Sequence, residues 1–200
     1  MTKIKICGLK RKEDIQYVNQ LQPDYVGFVF AKSSRQVDLS WARELIQGLD
    51  QHIKKVGIFQ DMRKEAVNHI AEGCGLDVLQ FHGDEEPEYC KAFQREVWKA
   101  FRIKDDESFI QMQQYAVAGY LLDTYTAGQY GGSGKTFPWE LAVNIKRTGL
   151  LIAAGGLHAD NVREAIRILK PDIVDVSSGV EKNGLKNFNK MRSFIEKVRE

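Results

Sequence analysis

A cysteine followed at once by a glycine, at the end of a short alternating run, is the feature of this chain best suited to chemistry. In Lys3-Ile4-Lys5-Ile6-Cys7-Gly8 successive strand side chains point to opposite faces, so Ile4 and Ile6 share one face and Lys3, Lys5 and Cys7 the other. A cation such as Lys5 lowers the pKa of a nearby thiol and favours the reactive thiolate. Asp123 closes a second apolar run, Gly119-Tyr120-Leu121-Leu122-Asp123, in the same manner. A base and an acid at the carboxyl ends of two strands open onto the same rim if both strands belong to one parallel barrel. Each residue also has a plainer reading. Free cysteine often packs as a small hydrophobe, as expected for Cys74 and Cys90 in helical segments, and a carboxylate after a strand is commonly a turn or cap residue.

Further polar and glycine-rich positions fall at the ends of other apolar runs. Ala154-Gly155-Gly156-Leu157 and Ser177-Ser178-Gly179-Val180 follow the last two. Turns after strands seven and eight are the usual phosphate site of barrels, which makes Gly155, Gly156, Ser178 and Gly179 candidate anion binders, with a short helix expected within residues 184–188. Arg35, in Lys32-Ser33-Ser34-Arg35, is either a solvated surface charge or a fork for a substrate carboxylate. His82 reads first as a turn residue and second as a site residue. Lys5, Lys99 and Asp175 are expected to form a paired polar layer beneath the pocket, because unpaired buried charges are costly. The segment Gly128-Gln129-Tyr130-Gly131-Gly132-Ser133-Gly134-Lys135-Thr136 is not a P-loop, since the first glycine of that pattern is replaced by Gln129. A mobile glycine-rich loop over a site is the better expectation.

The elements that position these residues alternate. Strand-like runs at Ile4–Cys7, Tyr25–Phe30, Val56–Phe59, Val78–His82, Val97–Phe101, Tyr120–Asp123, Leu150–Ala154 and Ile173–Ser177 are separated by helical patterns. This predicts parallel β/α units. Met191, Phe194, Ile195 and Val198 give the last helix its apolar stripe, and Val162, Ala165, Ile166 and Leu169 the one before. Ser40 is expected to cap one helix, and Pro138 to sit in the first turn of another. With no linker, repeat or low-complexity segment, residues 1–200 read as one (β/α)₈ TIM barrel of eight parallel strands, small for that fold. Periodicity alone leaves a doubly wound open sheet as the alternative.

Composition narrows the function. Lysine plus arginine number 29 against 27 acidic residues, a net charge of +2, which argues against a general nucleic-acid surface. No apolar run approaches the roughly 20 residues that span a bilayer, and the amino terminus carries no signal-peptide segment. Three widely spaced cysteines suggest neither a disulfide framework nor a zinc cluster. A cytoplasmic protein with reduced thiols follows, and nothing in the sequence sets an oligomeric state.

Several segments together resemble phosphoribosylanthranilate isomerases of tryptophan biosynthesis. They are Lys5-Ile6-Cys7-Gly8-Leu9, Val26-Gly27-Phe28-Val29-Phe30 with Ser33-Ser34-Arg35, Leu79-Gln80-Phe81-His82-Gly83, Leu121-Leu122-Asp123, residues 131–137 with Trp139, Gly155-Gly156-Leu157, and Val174-Asp175-Val176-Ser177-Ser178-Gly179-Val180-Glu181. The resemblance implies a barrel without cofactor or metal that performs an Amadori rearrangement of a small phosphosugar–anthranilate substrate. By the same resemblance Cys7 is the general base, Asp123 the general acid, Arg35 the carboxylate ligand and the two glycine turns the phosphate ligands. Asp175 is a further candidate, for the ribose hydroxyls. Two other readings stay open: a sister aminoaldose isomerase of histidine biosynthesis, which has a carboxylate where this chain has Cys7, and a non-catalytic phosphate-binding barrel.

Overall fold

Period-2 apolar runs become strands here because each can bury one face inside a ring and the other under helices. The computed structural model describes residues 1–105, 107–124, 136, 138–143, 145 and 147–200. Its first eight strands are β1 (Lys3–Cys7), β2 (Tyr25–Val29), β3 (Lys54–Phe59), β4 (Val78–Phe81), β5 (Glu96–Ile103), β6 (Gly119–Thr124), β7 (Leu150–Ala153) and β8 (Ile173–Val176). They pair in parallel in chain order, and β1 pairs with β8, Lys3 opposite Ile173 and Lys5 opposite Asp175. The ring is closed, so the open doubly wound sheet is excluded.

Among the described residues the helices are α1 (Lys12–Leu21), α2 (Leu39–Gln47), α3 (Lys64–Cys74), α4 (Pro87–Lys91), α5 (Glu107–Met112), α6 (Val162–Leu169) and α7 (Phe188–Arg199), with a 3₁₀ turn at Trp139–Ala142. Both predicted stripes face the barrel: Met191, Phe194, Ile195 and Val198 are buried, as are Val162, Ala165 and Leu169, while Ile166 is partly buried against them. Cys74 and Cys90 are buried in α3 and α4 as free thiols.

Strand register decides which chemistry faces inward. Cys7, Tyr25, Val29, Ile58, Trp98, Ala100, Leu121 and Ile152 belong to the cluster inside the ring. Trp98, fully buried and edge-on to Tyr25 at 5.1 Å between ring centroids, fills its lower part. Gly27 lies opposite Cys7, and a Cβ there would come within 2.8 Å of the sulfur. The missing side chain on β2 is what gives the thiol its space.

Four local expectations are corrected. The cap of α2 is Asp38, whose carboxylate accepts from the Trp41 amide at 2.8 Å, because the helix begins at Leu39 and Ser40 is already inside it. Pro138 precedes a 3₁₀ turn as its cap residue and does not occupy a helical first turn. Residues 184–188 hold no short helix. Instead β9 (Glu181–Lys182) and β10 (Leu185–Lys186) form an antiparallel hairpin, turned by Asn183 and Gly184 with φ of 54° and 74°. Two successive positive φ values are what a two-residue hairpin turn needs, and Asn-Gly supplies them. Finally, Lys99 is not in the layer beneath the pocket. Trp98 and Ala100 take the inward positions of β5, so Lys99 points outward to Gly83 O at 2.8 Å and Glu85 at 3.3 Å.

Candidate active site

The carboxyl ends of the strands surround a cavity of about 540 Å³, lined by Cys7, Arg35, Gln80, His82, Asp123, Gly155, Gly156, Asp175, Ser177 and Ser178 among others. Cys7 and Asp123, 116 positions apart in sequence, thus share one chamber. The glycine-rich stretch 128–135, expected to cover it, lies outside the described residues.

Cys7 is 9% exposed. Burial pushes its thiol up, the Lys5 ammonium pulls it back only in part, and Asp175 adds to the rise. Lys5 lowers the thiol's pKa as expected, but desolvation of the thiolate outweighs the nearby cation. Lys5 is wholly buried. Its desolvation opposes its charge, but the Asp175 carboxylate at 2.8 Å and the thiol more than compensate and raise its pKa.

On the other flank Asp123 is 4% exposed, and its Oδ1 accepts from the Thr124 amide at 2.8 Å. Gly155 packs against it: a Cβ there would meet Asp123 Oδ1 at 2.8 Å, and its φ of 76° favours glycine in any case. His82, read first as a turn residue, reaches the site. Its Nε2 stands 3.2 Å from Asp123 Oδ2, near enough to feel the carboxylate but not aligned as a hydrogen bond. Its Nδ1 is 3.3 Å from Gln80 Nε2.

Two buried acceptors in the cavity wall have no donor among the described residues, Gln80 Oε1 and Asp175 Oδ1. A buried polar atom left unpaired costs stability, so both are suited to hydroxyl groups of a ligand. Gln80 was not singled out from the sequence. The signal available was its inward parity on β4, two residues before His82.

At the phosphate end, Gly155, Gly156 and Ser178 line the cavity, and Ser178 opens a 3₁₀ turn, Ser178–Val180. Gly179 does not line it; a Cβ there would run into the Leu157 carbonyl, so this glycine lets the two turns pack together. Arg35 lines the cavity too, with Nε and Nη2 donating to Glu181 at 2.7 and 2.8 Å. Lys186 joins the same carboxylate at 2.7 Å. Although burial works against the Glu181 charge, Arg35 and Lys186 hold its carboxyl down at about 2. Burial in turn pulls Lys186 down despite Glu181. Among the described residues no cluster of His, Cys, Asp or Glu is arranged to hold a metal ion.

The model of the family described as N-(5'phosphoribosyl)anthranilate (PRA) isomerase matches residues 4–197. The chain belongs to this family. A PRA isomerase relative from Thermoanaerobacter sp. (strain X514) is 54% identical over all of this chain and 98% of the relative. One from Clostridium kluyveri (strain ATCC 8527 / DSM 555 / NBRC 12016 / NCIMB 10680 / K1) is 50% identical over the same shares. The solved PRA isomerase of Thermotoga maritima superposes with a TM-score of 0.91 at 34% identity, covering all of this chain and 99% of that one. Another PRA isomerase structure, solved with reduced 1-(o-carboxyphenylamino)-1-deoxyribulose 5-phosphate, superposes with a TM-score of 0.86 at 31% identity over the same shares.

Proposed function

We propose that residues 1–200 form one catalytic domain that isomerises N-(5-phosphoribosyl)anthranilate to 1-(2-carboxyphenylamino)-1-deoxyribulose 5-phosphate, a step of tryptophan biosynthesis. The observation that carries this reading is the meeting of Cys7 and Asp123 in one cavity that also holds two glycine turns and an arginine. An inward thiol on β1, where a sister aminoaldose isomerase has a carboxylate, favours this substrate over the histidine-pathway one. An acid and a base lining one cavity are superfluous in a barrel that only binds phosphate.

In this reading Asp123 protonates the furanose ring oxygen, the C1–O bond breaks, and an iminium ion forms at C1. Cys7 as thiolate then takes the proton from C2, and the resulting enolamine tautomerises to the ketone. The order suits the electrostatics. Burial disfavours the thiolate, but a cation formed beside it favours the charged form. The iminium thus raises the share of Cys7 present as thiolate, though not its basicity, and serves as the electron sink. A positioned acid or base of this kind contributes roughly 10²- to 10⁴-fold in rate.

Arg35 takes the anthranilate carboxylate, while Gly155, Gly156 and Ser178 take the phosphate through backbone and hydroxyl donors, and Gly179, expected among them, serves by letting the two turns pack together. Gripping both ends holds C2 against Cys7. Asp175 Oδ1 and Gln80 Oε1 accept from the sugar hydroxyls, and His82 borders the acid. A thiol base suits a reducing compartment, and we place the protein in the cytoplasm. The test is direct: generate the labile substrate from anthranilate and phosphoribosyl pyrophosphate with its transferase, then follow fluorescence after adding this protein. Decay no faster than the spontaneous rate would refute the isomerase reading.

A further inference from the structure

Glu181 and Lys186 belong to neither the acid–base pair nor the phosphate turns, yet among the described residues they form a densely bonded polar cluster beside Arg35. Glu181 uses both carboxylate oxygens on one edge of Arg35, Nε and Nη2. A guanidinium has a second such edge, Nη1 with the other Nη2 hydrogen, and among the described residues that edge has no acceptor. The arginine is therefore gripped along one edge and, among the described residues, unengaged along the other.

The grip is tied to the base. Lys186, opposite Glu181 in the hairpin, bonds Glu181 at 2.7 Å and the Ser177 carbonyl at 3.0 Å. The Ser177 hydroxyl in turn donates to the Cys7 carbonyl at 3.1 Å. The stem of Arg35 lies against Gly8, where a Cβ would come within 2.5 Å of its Cδ and φ is 82°. Head and stem of the arginine are both referenced to the backbone just after the thiol, the Cys7 carbonyl and Gly8.

We propose that the β9–β10 hairpin is a carboxylate-selectivity device for the isomerase reading above. Glu181, supported by Lys186, is a positioning residue that fixes where Arg35 meets a substrate carboxylate relative to Cys7. An unanchored arginine would lose rotamer freedom on binding; this one is ordered before the ligand arrives. Two cations share one carboxylate, so positive charge is left for the incoming anion. Removing the Glu181 charge does not simply add to that surplus. Lys186, 4% exposed, would be left without its carboxylate, a setting in which a buried amine sheds its proton.

The experiment compares kcat/KM for N-(5-phosphoribosyl)anthranilate with that for its carboxylate-free counterpart built on aniline. Wild type is expected to prefer the carboxylated substrate. Glu181→Gln is expected to lower that preference by at least about tenfold, the scale of a lost charged hydrogen bond. In an Arg35→Ala background the same change is expected to lower it no further, since residues acting as one unit are not additive. Glu181→Asp, too short to span both nitrogens, is expected to fall between, and it carries the test if the glutamine variant does not fold. An equal loss on both substrates would reveal a merely structural hairpin and overturn the proposal. So would a raised preference, an additive double variant, or a wild type indifferent to the carboxylate. Absent wild-type turnover would sink the isomerase reading itself; turnover with an unmoved preference sinks only the role of Glu181.

Discussion

Cys7 stands in an environment that favours a neutral thiol, with Lys5 as its partial correction. In the proposed mechanism a cation formed beside Cys7 favours the thiolate that burial opposes. Cys7→Ala and Asp123→Asn are each expected to lower kcat by at least about 100-fold while leaving a folded protein, checked by turnover and thermal melting on the same preparations. A variant turning over near the wild-type rate would remove that residue from its role. Lys5→Met deletes the main counterweight to burial and leaves Lys186 as the lesser cation against burial and Asp175. The rising limb of kcat/KM against pH is expected to move to higher pH, and an unmoved limb detaches Lys5 from the base. Cys7 and Asp123 were legible in sequence because strand parity and strand end are one-dimensional facts. Lys99 was misjudged because strand parity must be counted from a neighbour known to face inward, and Trp98 is that neighbour. The upward shift of Cys7 was not legible at all, since desolvation depends on what closes over the thiol.

Hairpin β9–β10 carries two of the most strongly bonded side chains at the rim on only four paired residues. Its turn is accordingly a weak point. At Gly184, φ 74°, a β-branched residue pays about 1–2 kcal/mol for the left-handed conformation, and in a chain of this size each 1 kcal/mol lowers Tm by about 2–4 °C. Gly184→Val is expected to melt several degrees earlier and to raise KM, because Glu181 and Lys186 move with the turn; an unchanged KM would uncouple hairpin from site. The Glu181 carboxyl falls from an ordinary 4.5 to about 2 on folding. Its folded value is the lower one, so its contribution is complete above 4.5 and is lost as pH falls toward 2. Between those values Glu181→Gln is expected to lose less stability than wild type, read from urea unfolding at stepped pH; parallel curves would mean that the ion pairs contribute nothing. The Asn-Gly signal for this hairpin is present in the sequence. The sequence reading looked for a helix there instead, whereas the short helical turn in this stretch is Ser178–Val180.

At the scale of the whole molecule, eight runs predict eight strands because the helices between them are amphipathic and the strands are buried on both faces. Closure is a property of register, visible only when β1 is seen beside β8. Helix lengths were less legible: α4 has five residues and α5 six, too few turns for a periodic signal. The ring depends on its filling. Trp98→Ala opens a hole where a fully buried indole meets Tyr25 and is expected to cost about 3–5 kcal/mol in denaturant titration, whereas a cost below 1 kcal/mol would mean that the interior collapses around the gap. The seam between β1 and β8 has a temporal side. Lys5 and Asp175 are separated by 170 positions, and a ring, unlike a stack, offers no shorter route between its two edges. Recovery of turnover after dilution from denaturant is therefore expected to trail any signal that records only the gathering of apolar side chains; recovery in step with that signal would mean that the seam seals early.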